Sequence, residues 1–300
     1  MLEELNEKYS IPGRLEFVRG KEDFILAELR NPHSRCTVSL YGAHVLSFKP
    51  EGREDILWMS GFSFFEKGKP IRGGIPVCWP WFGAHTSDNA MPSHGFARIS
   101  RWNVKSASND DGVTELVLSL KNTDVNPGKF KVEPFELKLA VRCGKTLEVE
   151  LLTENNGMEN FIVSEALHSY FSVSDIGRVS ISGLDGAAYI DTVNGLHASK
   201  VQSGDVRFDS EVDRIYSKSV CDCIISDSGS ARRIKVSKTG SRTTVIWNPW
   251  IAKAARMPDF GNEEYRSMVC VETANAGTDK VSIPPGRNHG MKTVISCEYD

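Results

Sequence analysis

Several features common in other proteins are missing from this chain. The opening residues, Met1-Leu2-Glu3-Glu4-Leu5-Asn6-Glu7-Lys8, lack the basic and apolar segments of a signal peptide. No apolar run approaches the roughly 20 residues needed to span a bilayer. Metal-binding spacings are absent too: there is no Cys-x-x-Cys and no His-Glu-x-x-His. No repeat, low-complexity tract or Pro/Ser-rich linker divides the chain. Charge of one sign is not in excess, since 36 Lys and Arg stand against 39 Asp and Glu, giving a formal net charge of −3. Such a balance exerts no long-range pull toward nucleic acid or anionic membrane, so an anion must be held by local arginines. Helical periodicity is scarce. Leu2, Leu5 and Tyr9 can line one side of a short N-terminal turn, and Gly61 to Lys67 is a second weak candidate.

The seven cysteines, at 36, 78, 143, 221, 223, 270 and 297, are odd in number and scattered. Val77-Cys78-Trp79 and Val269-Cys270-Val271 place two of them in apolar runs, where cysteine behaves as a small buried hydrophobe. Reduced thiols in a reducing compartment follow. The expectation is a cytoplasmic protein with no membrane or nucleic-acid partner.

What is present is strand pattern. Phe135 to Arg142 alternates apolar and polar residues with a period of two, as a strand with one buried face requires. Leu147 to Leu151 repeats the pattern after Arg142-Cys143-Gly144-Lys145, which predicts an antiparallel hairpin. Thr114 to Leu120, Cys36 to Tyr41, Thr243 to Trp247, Met268 to Glu272 and Met291 to Cys297 read the same way. Asn126-Pro127-Gly128, Ser226-Asp227-Ser228-Gly229 and Pro284-Pro285-Gly286 supply turns between them. With 300 residues, 40% of them hydrophobic, a large core forms without disulfides or metals. The fold class is all-β, a large antiparallel sandwich, with 1–300 as one domain.

Lys69-Pro70-Ile71-Arg72-Gly73-Gly74-Ile75-Pro76 and Cys78-Trp79-Pro80-Trp81-Phe82-Gly83 are too rich in proline and glycine for a central strand. They describe a structured loop with aromatic walls. An arginine beside Gly-Gly can approach an anion closely, although local chemistry alone fits a tight turn whose arginine faces solvent. Pro92-Ser93-His94-Gly95-Phe96-Ala97-Arg98 sets a histidine and an arginine four residues apart. In Ala166-Leu167-His168-Ser169-Tyr170-Phe171, strand geometry puts His168 on the face of Ala166 and Tyr170. One isolated histidine is more often a core residue than a catalyst. Met268-Val269-Cys270-Val271-Glu272 reads as an apolar strand ending in a carboxylate. Desolvation there would disfavour the charge and suit a general base, whereas a strand end in water would not. Cys221-Asp222-Cys223 without further ligands reads as a solvated or packed pair on one strand face, and Arg232-Arg233-Ile234-Lys235 as a wet face. Trp247-Asn248-Pro249-Trp250 reads as a strand end and turn with aromatic packing.

Taken in order, Lys69 to Gly83, Pro92 to Arg98, Leu167 to Phe171, Trp247 to Trp250 and Val269 to Glu272 resemble the glucose-6-phosphate 1-epimerases of the wider aldose 1-epimerase family. Each stretch is modest alone; the ordered set is specific. The resemblance implies a β-supersandwich and exchange of the two anomers of a phosphorylated aldose, with no cofactor or metal and a monomeric chain. It implies His168 and Glu272 as the catalytic pair and Arg72 and Arg98 as holders of the sugar phosphate. His94 and Asp213, the latter in Glu211-Val212-Asp213-Arg214-Ile215-Tyr216, would reach sugar oxygens. Ser93 stands where that family leads us to expect glutamine, which bears on substrate preference. Two alternatives stay open: a mutarotase for unphosphorylated aldoses, and a non-catalytic carbohydrate-binding protein on the same fold.

Overall fold

The computed structural model describes residues 1–125, 130, 132–195 and 198–299. The turn expected at Asn126-Pro127-Gly128 lies outside the described residues. Every named strand pairs antiparallel with its neighbours, as the alternating patterns require. Two eight-stranded sheets dominate, joined by a four-stranded sheet and a two-stranded one.

One large sheet runs from Val179–Ser182 through Cys223–Asp227, Arg232–Thr239, Asn288–Tyr299, Leu147–Asn155, Phe135–Cys143 and Val113–Lys121 to Asn103–Asp110. Its central strands show why they form. Phe135–Cys143 and Leu147–Asn155 alternate strictly between buried and half-buried positions, one face on the core and one toward water. They pair from Cys143 opposite Leu147 to Phe135 opposite Asn155, so the expected hairpin is present.

The other large sheet runs Ala198–Val201, Ala188–Asp191, Val212–Ser217, Thr243–Asn248, Met268–Asn275, Glu165–Leu167, Val77–Cys78, with Tyr170–Ser172 also pairing Met268–Asn275. Here Thr243–Asn248 and Met268–Asn275 are buried at every position. A strand covered on both faces reads as a continuous apolar run rather than an alternation. That is why Met268 to Glu272 is an unbroken apolar run up to its carboxylate.

Four expectations need correcting. The strand expected to end at Glu272 continues to Asn275, so the carboxylate is mid-strand and inside the protein. Gly61 to Lys67 forms turns rather than a helix, held by the Ser60 and Glu264 side chains, which accept from the Phe62 and Gly61 N–H groups. Arg232 is buried, donating to the Ser172 carbonyl and lying 3.7 Å from Asp227, while Arg233 and Lys235 face water as expected. Cys221 is exposed ahead of the strand that begins with buried Cys223, so the two thiols are not a pair on one face. The N-terminal helix is present as Leu2–Tyr9, resting Leu2, Leu5 and Tyr9 on the core.

Trp79 ties the loop region to the first of these large sheets. Its indole N–H donates to Thr153 Oγ1 at 3.0 Å. Its ring packs on Phe135 at 4.5 Å and edge-on to Phe96 and Phe161 at 5.5 Å each. Ile295 is fully buried in the same core. Ile295→Val should therefore cost about 0.5–1.5 kcal/mol, the loss of one methylene plus incomplete closure of the gap. Urea unfolding would read it as a lower midpoint with an unchanged slope.

Candidate active site

The register of the fully buried strands decides which side chains meet. Asp213 lies opposite Trp247, Trp247 opposite Cys270, and Cys270 opposite Tyr170. One step along, Ile215 lies opposite Val245 and Val245 opposite Glu272. Leu167 pairs Thr273 and Tyr170 pairs Cys270, so the two short strands are in phase and His168, between them, falls opposite Glu272. Residues opposite one another share a face of the sheet. Two adjacent rows on one face thus gather Asp213, Trp247, Cys270, Tyr170, Glu272 and His168.

His168 sits in a break between strands rather than within one. Its N–H donates to the Pro76 carbonyl at 3.1 Å, and Ser169 N–H turns back to Leu167 at 2.9 Å. The imidazole stacks on the Tyr170 ring at 4.7 Å and 9°, with Trp247 edge-on to both. His168 Nε2 is 3.4 Å from Glu272 Oε1. His168 Nδ1 and Glu272 Oε2 are buried without partners among the described residues. Burial pushes the imidazole well below its ordinary value, and the Arg98 and Arg72 charges push it further. Burial likewise raises the Glu272 carboxyl well above the usual carboxylate range, with Asp213 adding to it and Arg98 opposing. With histidine lowered and carboxyl raised, burial favours the uncharged form of each group in the free site.

The arginines differ. Arg72 donates from Nε to Asp259 at 3.1 Å and from Nη1 to the Tyr170 hydroxyl at 3.0 Å, and its Nη2 is 3.0 Å from the same carboxylate. Arg98 is buried, donates from Nη2 to the Ser93 carbonyl at 2.7 Å, and leaves Nε unpartnered. No carboxylate pairs with it among the described residues. Burial lowers its pKa, as it must for an uncompensated cation.

The loops carrying these arginines depend on glycine at two positions. Gly74 has φ +60°, and a Cβ there would lie 2.2 Å from the Val45 carbonyl oxygen. At Gly95, φ +72°, it would lie 1.9 Å from the Trp79 carbonyl oxygen. Only glycine fits either place. His44 Nε2 bonds the Gly73 carbonyl at 2.6 Å, fixing the residue next to Arg72; burial takes this imidazole down to about 4, so it is the neutral Nε2–H donor.

His94 Nδ1 accepts from the Gly83 N–H at 3.3 Å, leaving Nε2 to carry the proton. Its ring is 5.8 Å from that of His168. Asp213 receives the Lys253 ammonium at 3.3 Å, which also reaches Glu211 at 3.0 Å. Ser93 is exposed, and it is its backbone carbonyl that meets Arg98. The structure thus brings His168, Glu272, Arg72, Arg98, His94 and Asp213 to one locality. Sequence reasoning missed Asp259, Lys253 and His44. Met257-Pro258-Asp259-Phe260 has no spacing that separates Asp259 from any surface aspartate.

Comparison with known proteins places this geometry. The aldose 1-epimerase family profile matches residues 26–296. An Escherichia coli (strain K12) protein provisionally named glucose-6-phosphate 1-epimerase is 38% identical over 265 residues, 88% of each chain. One from Cenchrus ciliaris with the same provisional name is 33% identical over 291 residues, covering 94% of this chain and 87% of that one. A solved structure from Salmonella typhimurium, provisionally termed a mutarotase (YeaD), superposes with TM-score 0.89 at 33% identity over 98% of this chain and 96% of that one. The galactose 1-epimerase of Lactobacillus acidophilus NCFM shares the fold, at TM-score 0.74 and 13% identity over 95% and 99% of the two chains. The chain belongs to the aldose 1-epimerase family.

Proposed function

We propose that the protein interconverts the α and β anomers of a hexose 6-phosphate, with glucose 6-phosphate as substrate, and that His168 and Glu272 are its acid–base pair. The observation that carries this reading is the 3.4 Å approach of two buried, oppositely shifted groups, each with one unpartnered atom among the described residues, beside a buried guanidinium with no carboxylate paired to it. A hemiacetal supplies what the pair lacks, and a phosphate supplies what Arg98 lacks. The names of the 33–38% identical relatives support the same substrate. We further read the chain as a single folding unit, supported by one buried cluster that reaches from Leu15 to Ile295.

The chemistry balances on one proton. Glu272 takes the proton of the C1 hydroxyl while His168 gives one to the ring oxygen. The C1–ring-oxygen bond breaks and the C1 carbonyl forms. Rotation about C1–C2 turns the other carbonyl face, and the same two transfers in reverse close the ring. Nothing is oxidised. During opening the pair passes from imidazolium–carboxylate to imidazole–carboxylic acid, so its net charge never changes, which a low-dielectric site favours. The phosphate dianion offsets Arg98 and Arg72, the two charges that depress His168. Binding it moves the shared proton toward the imidazole.

The test is NMR exchange between anomers of glucose 6-phosphate, glucose and galactose, with and without protein. Acceleration greatest for the phosphate ester is expected; equal acceleration of the free sugars would return the unphosphorylated-aldose reading, and none would return the binding-protein reading. A pH dependence follows. A second proton on the pair is resisted by the lowered His168, so the acid limb of kcat/KM should lie below 6.5; loss of the single proton is resisted by the raised Glu272, so activity persists far above the carboxylate range. A parallel profile on glucose removes the phosphate's own ionisation near pH ~6. An acid limb at or above 6.5 would contradict the arrangement.

A further inference from the structure

The strand register that sets Glu272 opposite His168 also puts Cys270 beside them, two residues before Glu272 on the same face and diagonal to the imidazole. An imidazole nitrogen, a thiol sulfur and a carboxylate oxygen, one from each, all lie within 4.8 Å of one another. Cys270 is completely buried and takes no part in the proton transfers. Among the described residues this is the one group of three such donors that could hold a metal ion. Around a tetrahedral zinc, donors at about 2.0–2.3 Å from the metal sit roughly 3.3–3.7 Å apart. The His168–Glu272 approach of 3.4 Å already has that span.

We propose that His168, Cys270 and Glu272 form a site for one zinc-class divalent ion, which occupies the place of the hemiacetal and switches the enzyme off. This rests on reading His168 and Glu272 as the acid–base pair. The thiol selects the ion, because sulfur favours zinc, cadmium and cobalt over magnesium or calcium. As the metal–sulfur and metal–oxygen bonds form, the thiol and carboxylic protons leave to solvent. The two resulting anionic donors balance the dication, and no electron moves. Three protein ligands leave a fourth position open, as in zinc sites that bind small molecules. Both acid–base groups are then tied to the ion and cannot exchange protons with sugar. No spacing motif reveals this set, since Cys270 and Glu272 lie about a hundred residues from His168.

The experiment titrates the whole protein with Co²⁺ and, in parallel, measures anomer exchange of glucose under Zn²⁺, the free sugar being chosen because it does not chelate. A near-ultraviolet sulfur-to-cobalt charge-transfer band, and loss of exchange by Zn²⁺ that EDTA restores, are expected. Cys270→Ser should lose the band and, measured against its own metal-free rate, become at least about tenfold less sensitive to Zn²⁺. Cys270→Ala serves if the serine variant does not fold. Cys221→Ser should retain band and inhibition, which separates the buried site from the exposed thiol. No band up to millimolar Co²⁺, or equal Zn²⁺ inhibition of both Cys270 variants and wild type, overturns the proposal. If the metal fails to bind while Glu272→Gln is inactive, the metal site alone falls. If the metal binds as described while Glu272→Gln turns over normally, the acid–base reading alone falls.

Discussion

Glu272→Gln is expected to slow protein-catalysed anomer exchange by about 10²–10⁴-fold, the usual contribution of one positioned acid or base, while leaving the fold intact. The amide matches the carboxylic acid in volume and carries no charge, the form that burial favours at this position, so the buried strand Met268–Asn275 should tolerate it. His168→Asn should give a comparable loss. Removing this imidazole also removes a face from Tyr170, so its melting temperature is the necessary control. The double variant should be scarcely worse than either single one, because two groups sharing one proton act as a unit and their losses do not add. Line-broadening or saturation-transfer NMR on the anomeric signals reads all three. A folded Glu272→Gln protein exchanging anomers at close to the wild-type rate would dismiss the pair.

How much of this was legible beforehand depends on the kind of signal each residue carries. Strands with one wet face announce themselves: Phe135–Cys143 and Leu147–Asn155 were readable as a hairpin because apolar and polar residues alternate through most of each. The sheet bearing the site gives no such rhythm, since Met268–Asn275 is covered on both faces and its one carboxylate looked like a strand end. His168 and Glu272 were singled out by resemblance to a family. The physical ground for pairing them, a register shared by Leu167–Thr273 and Tyr170–Cys270, is long-range and exists only in the folded sheet. Asp259 and Lys253 were invisible for the opposite reason. Their chemistry is common on any surface, and only burial beside Arg72 or placement against Asp213 makes them part of a site.

That difference in partners separates the two arginines, which looked equivalent as letters. Arg98→Gln should lower kcat/KM for glucose 6-phosphate by roughly 10–10²-fold, the worth of one charge-assisted hydrogen bond at 1.5–3 kcal/mol, and change glucose by far less. Its guanidinium has no carboxylate, so a phosphate is the counter-ion it lacks, and glutamine can still donate toward the Ser93 carbonyl. Arg72→Ala should instead damage both substrates. It removes the donor to the Tyr170 hydroxyl under His168 and strands the buried Asp259 carboxylate. The pH profiles add a second readout. Arg98 is the foremost charge depressing His168 after burial itself, so in Arg98→Gln the acid limb on free glucose should move upward toward the ordinary histidine range. Equal losses on glucose and its 6-phosphate in Arg98→Gln, with the acid limb unmoved, would mean that this guanidinium braces the Ser93 loop and meets no anion.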